Sequence, residues 1–237
     1  MDYGTLYLIP CPISDETAPW DVLPAANRDV MNSLDYFIVE NTRSARRFLS
    51  KAGVERPIGE LEFRELNEHT AAGREVEELV KPLLEGRSAG VISEAGVPGV
   101  ADPGALVVEA CHRRGIRVVP LVGPSSIILA EMASGLNGQS FAFNGYLPVK
   151  PPERAKAIRF FERRALTEGQ SQLFIEAPYR NGKLMEQLVQ TLGAETRLTV
   201  AVELTAPGGR IETRTAGEWR RRPLPELNKR PAIFIIG

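Results

Sequence analysis

The chain has 237 residues, of which 43% are hydrophobic and 25% charged, a composition typical of a soluble globular protein with one long α/β domain or two small ones. Its formal net charge of −1 gives no general attraction to polyanions, so phosphate could be met only by local arginine pairs. It contains two cysteines, which are far apart and not in C-x-x-C, and only two histidines; these counts argue against disulfide chemistry, a metal site and a histidine-based centre.

The first residues carry no basic segment, and no apolar run approaches the length of a membrane span. We therefore expect a cytoplasmic protein with no signal peptide and no membrane partner.

Strands and helices alternate through the first half. The hydrophobic pattern predicts strands at 5–9, 36–39, 89–92 and 116–119, and helices at 22–34, 43–52, 73–84 and 105–114. Thr42 is expected to cap the helix that begins at Arg43. Such alternation is typical of a mainly parallel sheet with helices on both faces.

The pattern changes in the second half. It predicts helices at 127–133, near 153–166 and ending near 192, strands at 173–175, 198–202 and 232–236, and a hairpin turn at 207–209. These strands look more antiparallel than those of the first half. We therefore predict an α/β protein of two domains, 1–119 with a mainly parallel sheet and 120–237 with a mixed sheet.

A long loop, 93–104, separates the strand 89–92 from the next helix. It holds three glycines and two prolines, which stiffen the backbone and let a ligand approach it closely. Strand-to-helix connections usually take about two to six residues, so this length favours a functional loop. Its glycines do not follow G-x-G-x-x-G, and the chain has no G-x-x-x-x-G-K-[ST], so neither a dinucleotide nor a nucleotide phosphate site is indicated.

Four turns follow predicted strands and should lie at one edge of the sheet: 10–15, 40–43, 93–104 and 120–126. In open α/β sheets ligands bind outside the carboxyl ends of the strands, so we expect these turns to form one cleft. A cleft lined mostly by backbone atoms, with few charges, suits an adenine ring and a small amino-acid group, which are the parts of S-adenosylmethionine. Ser93, Ser125 and Ser126 are candidate polar contacts, although a serine at such a position is more often a helix cap than a ligand.

Seven segments of the sequence match one known family in their order. They are Leu6-Tyr7-Leu8-Ile9-Pro10-Cys11-Pro12-Ile13, Glu40-Asn41-Thr42-Arg43, Ser93-Glu94-Ala95-Gly96-Val97-Pro98 with Asp102-Pro103-Gly104, Gly123-Pro124-Ser125-Ser126, Gly145-Tyr146-Leu147-Pro148, Glu176-Ala177-Pro178-Tyr179-Arg180 and Glu203-Leu204-Thr205. With these segments the chain resembles the tetrapyrrole methylase superfamily over essentially its whole length. Within it, the order is most similar to the ribosomal RNA small-subunit methyltransferase I family, which methylates a ribose 2′-hydroxyl.

This resemblance implies a homodimer whose cofactor, S-adenosylmethionine, binds in a cleft between the two domains, and a substrate in the RNA of the small ribosomal subunit. The implied cofactor contacts are Pro12, Ser93, Glu94, Ala95, Gly96, Val97, Pro98, Ser125, Ser126, Ala177 and Leu204. Glu40 and Arg43 are implied to face the substrate.

The chain departs from the family's usual residues within these segments. Asn41 and Glu94 each stand where the family has an aspartate, Val97 where it has a threonine, and Tyr179 where it has a histidine. The first turn begins with Cys11 instead of threonine. We expect such changes to bear on substrate identity more than on cofactor binding.

Methyl transfer to a hydroxyl gains from a general base, typically by about 10²–10⁴-fold. The acidic candidates are Glu40, Glu68, Glu94 and Asp102, of which Asp102 could equally cap a helix; Arg43 is a further catalytic candidate. The sequence does not select among them. Two alternatives to RNA methylation stay open: C-methylation of a tetrapyrrole, and a paralogue that binds the cofactor without catalysis.

Overall fold

The computed structural model describes residues 2–66 and 73–237. The chain forms two compact units, Met1–Ser125 and Ser126–Gly237. Residues 121–125 belong with the first unit, where the N–H of Leu121 donates to the carbonyl of Leu8 at 2.9 Å. Glu68, one of the candidate bases, lies outside the described residues.

The first unit is built on a five-stranded sheet in the order β3-β2-β4-β1-β5. Its strands are β1 (Thr5–Leu8), β2 (Tyr36–Val39), β3 (Glu62–Glu65), β4 (Ala89–Ile92) and β5 (Arg117–Pro120). Every neighbouring pair is parallel, which confirms the predicted parallel sheet. The strand β3 was missed because it is a half-exposed edge strand with three charged residues, so it carries no apolar run.

Helices cover both faces of this sheet. They are α1 (Pro19–Val22), α2 (Ala26–Ser33), α3 (Thr42–Ala52), α4 (Arg74–Leu84) and α5 (Gly104–Arg114). Side chains of β2 alternate between two cores: Tyr36 and Ile38 pack with α4 and α5, whereas Phe37 and Val39 pack with α1, α2 and α3. This alternation is the two-residue period of a strand buried on both faces.

Two predictions for the helices of this unit were wrong. The helix expected at 22–34 begins only at Ala26, as α2, and a separate helix, α1, ends at Val22, because Pro24 drives the preceding Leu23 out of the helical region, to φ −107° and ψ 137°. The cap of α3 is Asn41 and not Thr42. The Asn41 side chain accepts the N–H of Ser44 at 3.1 Å, and Thr42 is already helical.

The second unit holds a mixed sheet in the order β6-β7-β10-β8-β9. Its strands are β6 (Phe141–Tyr146), β7 (Ser171–Ile175), β8 (Arg197–Val202), β9 (Arg210–Thr215) and β10 (Ala232–Ile236). β6 and β7 are parallel and the remaining pairs antiparallel, including the predicted hairpin of β8 and β9. The mixed sheet is therefore confirmed. β6 was missed because Asn144 and Gly145, which disfavour strands, interrupt its apolar pattern.

Helices flank this second sheet as well. They are α6 (Ser126–Ser134), α7 (Pro151–Glu168), α8 (Asn181–Thr191) and α9 (Ala216–Arg220). In β10, Phe234 and Ile236 face the core built with α7 and α8, whereas Ile233 and Ile235 face α6. No helix among the described residues is both long and apolar enough to cross a membrane.

Candidate active site

The turn after β1 is joined to the long loop after β4. Cys11 and Gly96 form an isolated antiparallel bridge, in which the N–H of Cys11 donates to the Gly96 carbonyl at 2.9 Å and the return bond measures 3.2 Å. The Cys11 thiol also donates to the carbonyl of Ser93 at 3.3 Å. Burial raises the pKa of Cys11 to about 12, so this thiol stays protonated and its role is structural.

The turn after β5 meets the same two segments. Gly96 has φ +70°, and a Cβ built on it would lie 3.1 Å from the carbonyl oxygen of Pro124. A Cβ on Gly123 would lie 2.3 Å from the ring of Pro10. Both close approaches require glycine, since no side chain fits them. Three of the four predicted turns therefore converge at Gly96, within the first unit.

The fourth turn, after β2, brings a carboxylate to this loop. Glu40 is half-buried, and its Oε2 accepts the N–H of Glu94 at 3.3 Å. Burial, followed by the charges of Asp102 and Glu94, raises the pKa of Glu40 above its ordinary value. Three of the candidate bases thus lie in one cluster, in which the pKa of Glu40 is raised.

Asp102 also fixes the end of the long loop. Its Oδ1 accepts the N–H groups of Gly99 at 2.8 Å and Gly104 at 2.7 Å, where α5 begins. Ala101, just before it, is held at φ 55°, an uncommon conformation for a residue with a side chain. The carboxylate that could have been a helix cap therefore stabilises both the strained turn and the helix start.

The helix α3 closes one side of this site. The hydroxyl of Ser44 donates to Glu94 at 3.1 Å, a contact that the longer side chain of glutamate, compared with aspartate, makes possible. Arg47 binds both carboxylate oxygens of Asp15, at 3.0 and 3.1 Å, and Lys51 donates to the Asp15 carbonyl at 2.9 Å. A pocket lies between these groups, Pro12 and Ser93.

Sequence reasoning missed Ser44, Arg47 and Lys51. Their spacing of three and four residues was the available signal, because it places all three on one face of a helix. Arg43 is exposed on the first turn of the same helix.

The residues of the 93–98 loop differ in exposure. Ser93, Gly96 and Pro98 are buried, Val97 is half-buried, and Glu94 and Ala95 are exposed. Ser125 ends the first unit, and Ser126 begins α6 in the second.

The two other predicted cofactor residues lie in the second unit. The N–H of Ala177 donates to the carboxylate of Glu176 at 2.7 Å. Leu204 stands between Glu203 and Thr205, which have φ values of 49° and 70°. Such left-handed conformations of residues other than glycine are concentrated at functional sites.

The adjacent arginines of the sequence, at 46–47, 113–114, 163–164 and 220–222, are largely engaged within the protein. Arg114 pairs with Glu77 at 2.6 Å, and Arg164 with Glu168 at 3.0 Å. A local phosphate patch built from them is therefore not favoured. Arg46 is exposed and lies over a phenylalanine ring at 5.8 Å.

The fold and these strand-end turns agree with one protein family. The family model for Tetrapyrrole (Corrin/Porphyrin) Methylases matches residues 6–219, so the chain belongs to this family. The crystal structure of the methyltransferase CobJ has the same fold, with a TM-score of 0.64 and 16% identity, over 100% of this chain and 94% of CobJ.

Curated relatives narrow this assignment. Ribosomal RNA small subunit methyltransferase I of Xylella fastidiosa (strain Temecula1) is 32% identical over 233 residues, which cover 98% of this chain and 80% of the relative. The protein of the same name from Escherichia coli O157:H7 is 33% identical, over 98% of this chain and 77% of the relative. The chain groups with these proteins and is a methyltransferase, as the resemblance in sequence predicted.

Proposed function

We propose that this protein transfers a methyl group from S-adenosylmethionine to a ribose 2′-hydroxyl in the RNA of the small ribosomal subunit. The observation that carries the proposal is the convergence of strand-end turns on Gly96, in a chain whose relatives are named as methyltransferases of that RNA. A carboxylate near the cofactor could act as the base that removes the proton of a ribose hydroxyl.

The residues of the loop suit this cofactor. The segment from Ser93 to Pro98 offers backbone amides and carbonyls and one small hydroxyl, and its backbone packs closely against the turn at Pro124 through Gly96. Bound there, the cofactor would supply a methyl group on a positively charged sulfur. The proposed contacts are Pro12, the 93–98 segment, Ser125, Ser126 and, from the second unit, Ala177 and Leu204.

Two tasks remain for the chain's own residues. One is alignment of the hydroxyl with the methyl group, which can supply roughly 7–11 kcal/mol of the barrier. The other is removal of the hydroxyl proton, which we assign to Glu40, because its raised pKa makes it a stronger base than an ordinary glutamate. As the new C–O bond forms and the C–S bond breaks, that proton would pass to the Glu40 carboxylate.

Label transfer tests this function directly. The protein would be incubated with methyl-labelled S-adenosylmethionine and one of three substrates: small ribosomal subunits from a strain lacking it, free ribosomal RNA, or uroporphyrinogen. We expect label in the RNA, and in dinucleotides after alkaline hydrolysis, because a methylated 2′-oxygen cannot attack its own phosphodiester. Label in uroporphyrinogen would identify a tetrapyrrole methylase, and binding without transfer would identify an inactive paralogue.

We also propose that the protein is a homodimer that pairs through α6. Ile128 and Met132, one helical turn apart, are 51% and 74% exposed, whereas Ala130 is buried. An exposed apolar stripe of this kind is typical of an interface, and most homo-oligomers are twofold symmetric. We expect Met132→Arg to yield monomers by light scattering with unchanged helical content; a wild-type mass of 26.0 kDa would exclude the dimer.

A further inference from the structure

Two tyrosines lie exposed at adjacent strand ends in the second unit. Tyr146 ends β6 and stands opposite Ile175, the last residue of β7. Tyr179 follows in the 3₁₀ turn Pro178–Arg180, directly after β7. Their exposed fractions are 63% and 64%, although burial of an aromatic ring stabilises a fold by a few kcal/mol. Neither ring is used for the core.

Arg180 lies against the ring of Tyr179. Its guanidinium carbon lies 4.9 Å from the centroid of the Tyr179 ring, and its Nη1 donates to the Tyr179 hydroxyl at 2.6 Å. The pKa of Arg180 lies above its ordinary value, first because Glu176 accepts its hydrogen bond, and then because of the Tyr179 and Tyr146 phenols. Tyr146 lies at the neighbouring strand end, opposite Ile175.

A buried carboxylate holds this arginine in place. The Glu176 side chain is 1% exposed, and its Oε1 accepts both the Arg180 Nη2, at 2.6 Å, and the N–H of Ala177. The carbonyl of Pro178 accepts the N–H of Lys229 at 3.0 Å, which fixes the turn from the other side. Because these bonds order the backbone and the guanidinium, a ligand on the rings would cost little conformational entropy.

The chemistry of this group suits a nucleobase. Aromatic rings and arginine guanidinium planes are the groups on which proteins stack unpaired bases of RNA. Two exposed lysines are close in sequence to these tyrosines: Lys150, which follows β6 and lies 3.8 Å from Glu153, and Lys183 in the first turn of α8. Isolated apolar residues on a surface need no explanation, but Tyr146 and Tyr179 stand at adjacent strand ends, and an ordered arginine lies against Tyr179.

We propose that Tyr146, Tyr179 and Arg180 form a stacking platform for an unpaired base of the RNA substrate. This inference rests on the proposed RNA methyltransferase function and names the part of the second unit that would hold the nucleic acid. The base would lie on the tyrosine rings, and the arginine would supply the positive charge. The platform would contribute to RNA affinity and not to the chemical step.

The test measures binding of three ligands: a short single-stranded RNA, an abasic ribose-phosphate oligomer of equal length, and S-adenosylhomocysteine. For Tyr146→Ala and Tyr179→Ala we expect RNA affinity to fall about 5- to 100-fold, the range known for loss of base stacking, with binding of the other two ligands unchanged. Tyr146→Phe and Tyr179→Phe should retain most of the affinity, because the ring is kept. Phe160→Ala is the matched control, since Phe160 is also an exposed ring beside an arginine, Arg163, at 6.0 Å.

A second readout does not depend on the loss of a side chain. In Tyr179→Trp the platform keeps an aromatic ring, and its fluorescence should be quenched by the RNA but not by the abasic oligomer. The two native tryptophans should give a constant background fluorescence, because Trp219 is buried and Trp20 packs against the core that α1, α2 and α3 form with β2.

Each other outcome would overturn the platform. Equal loss of RNA and abasic binding would mean phosphate contact alone, and loss of S-adenosylhomocysteine binding would mean that the rings hold the cofactor's adenine. A shift from dimer to monomer would place the tyrosines at a subunit interface. If the wild-type protein methylates ribosomal subunits and the alanine variants do so with unaltered RNA affinity, the platform fails and the proposed function stands. No methylation of RNA by the wild-type protein would instead remove the function.

Discussion

Each unit of this protein places a glutamate at the end of a sheet strand, but the two glutamates have opposite surroundings. In the first unit, Glu40 follows β2 and faces two other carboxylates, Glu94 and Asp102. In the second, Glu176 follows β7 and binds Arg180 at 2.6 Å, with Arg154 at 4.0 Å. Burial first, and then these neighbouring charges, raise the pKa of Glu40, whereas Glu176 is held between two arginines.

This difference separates a group suited to chemistry from one suited to positioning. A carboxylate crowded by like charges has a raised pKa and gains from taking a proton, as a general base must. A carboxylate paired to arginine gains nothing from protonation, and it orders its neighbours instead. Variants at Gly96, Glu40 and Glu176 test this contrast and the role of the 93–98 loop beside Glu40.

The largest effect is expected from Gly96→Val. The glycine has φ +70°, and a Cβ there would lie 3.1 Å from the Pro124 carbonyl oxygen, so a branched residue would strain the loop and push it away from the turn at Pro124. S-adenosylhomocysteine should raise the melting temperature of the wild-type protein but leave that of the variant unchanged. Gly53→Ala is a control, because it also has positive φ but no atom lies within 4 Å of its Cβ. An equal thermal shift in Gly96→Val would exclude this loop as the cofactor site.

Glu40→Gln should lower the rate of methyl transfer by about 10²–10⁴-fold, the usual contribution of a general base, without loss of cofactor binding. The wild-type rate should fall as pH decreases through the raised pKa of Glu40, because the protonated carboxyl cannot accept a proton. The variant should lack this dependence. A variant with the wild-type pH profile would mean that Glu40 is not the base.

Removal of the paired glutamate should act on stability. Glu176→Ala leaves Arg180 and Arg154 without their carboxylate, and a buried pair broken in this way costs about 3–5 kcal/mol; the partial exposure of Arg180 lowers our expectation to about 2–3 kcal/mol. Urea unfolding would measure it. Glu40→Ala is the comparison: it removes a half-buried carboxylate that has no arginine partner in the described segments 2–66 and 73–237, and it should cost less than Glu176→Ala.

The smallest effect is expected at a third glutamate, Glu131, which is buried. Glu131 on α6 is 6% exposed, and neither of its carboxyl oxygens has a hydrogen-bond partner among the described residues. Burial raises its pKa, and the neighbouring Ser171 offsets this only in part. Its contribution to stability is therefore full below its ordinary pKa and is lost as pH rises through the raised value.

Glu131→Gln should remove this loss of stability at higher pH, because glutamine does not ionise. We expect the variant to gain on the order of 1 kcal/mol relative to wild type in unfolding free energy near neutral pH, and to gain little in acid. Chemical denaturation at about pH 5 and about pH 8 would measure the difference. A gain that does not change with pH would show that packing, and not titration, distinguishes the two side chains.

The local hydrophobic pattern of the sequence was sufficient to predict much of the fold. Buried apolar runs such as 36–39 and 89–92 predicted β2 and β4, and the alternation of strands with helices predicted the parallel sheet, because that alternation requires crossover connections. The seven ordered segments predicted the family. The edge strand β3 was not predictable in this way, since its pairing with β2 supplies what its charged sequence lacks.

For the site, the sequence determined which residues were available, and the tertiary structure decided their surroundings. The loop 93–104 could be chosen from its length and glycines alone. That Cys11 would bond to Gly96, and that Asp102 would approach Glu40, depended on the order of β2, β4 and β1 in the sheet. The charge state of each carboxylate likewise follows from neighbours distant in sequence, because burial and Coulomb interactions act through space and not along the chain.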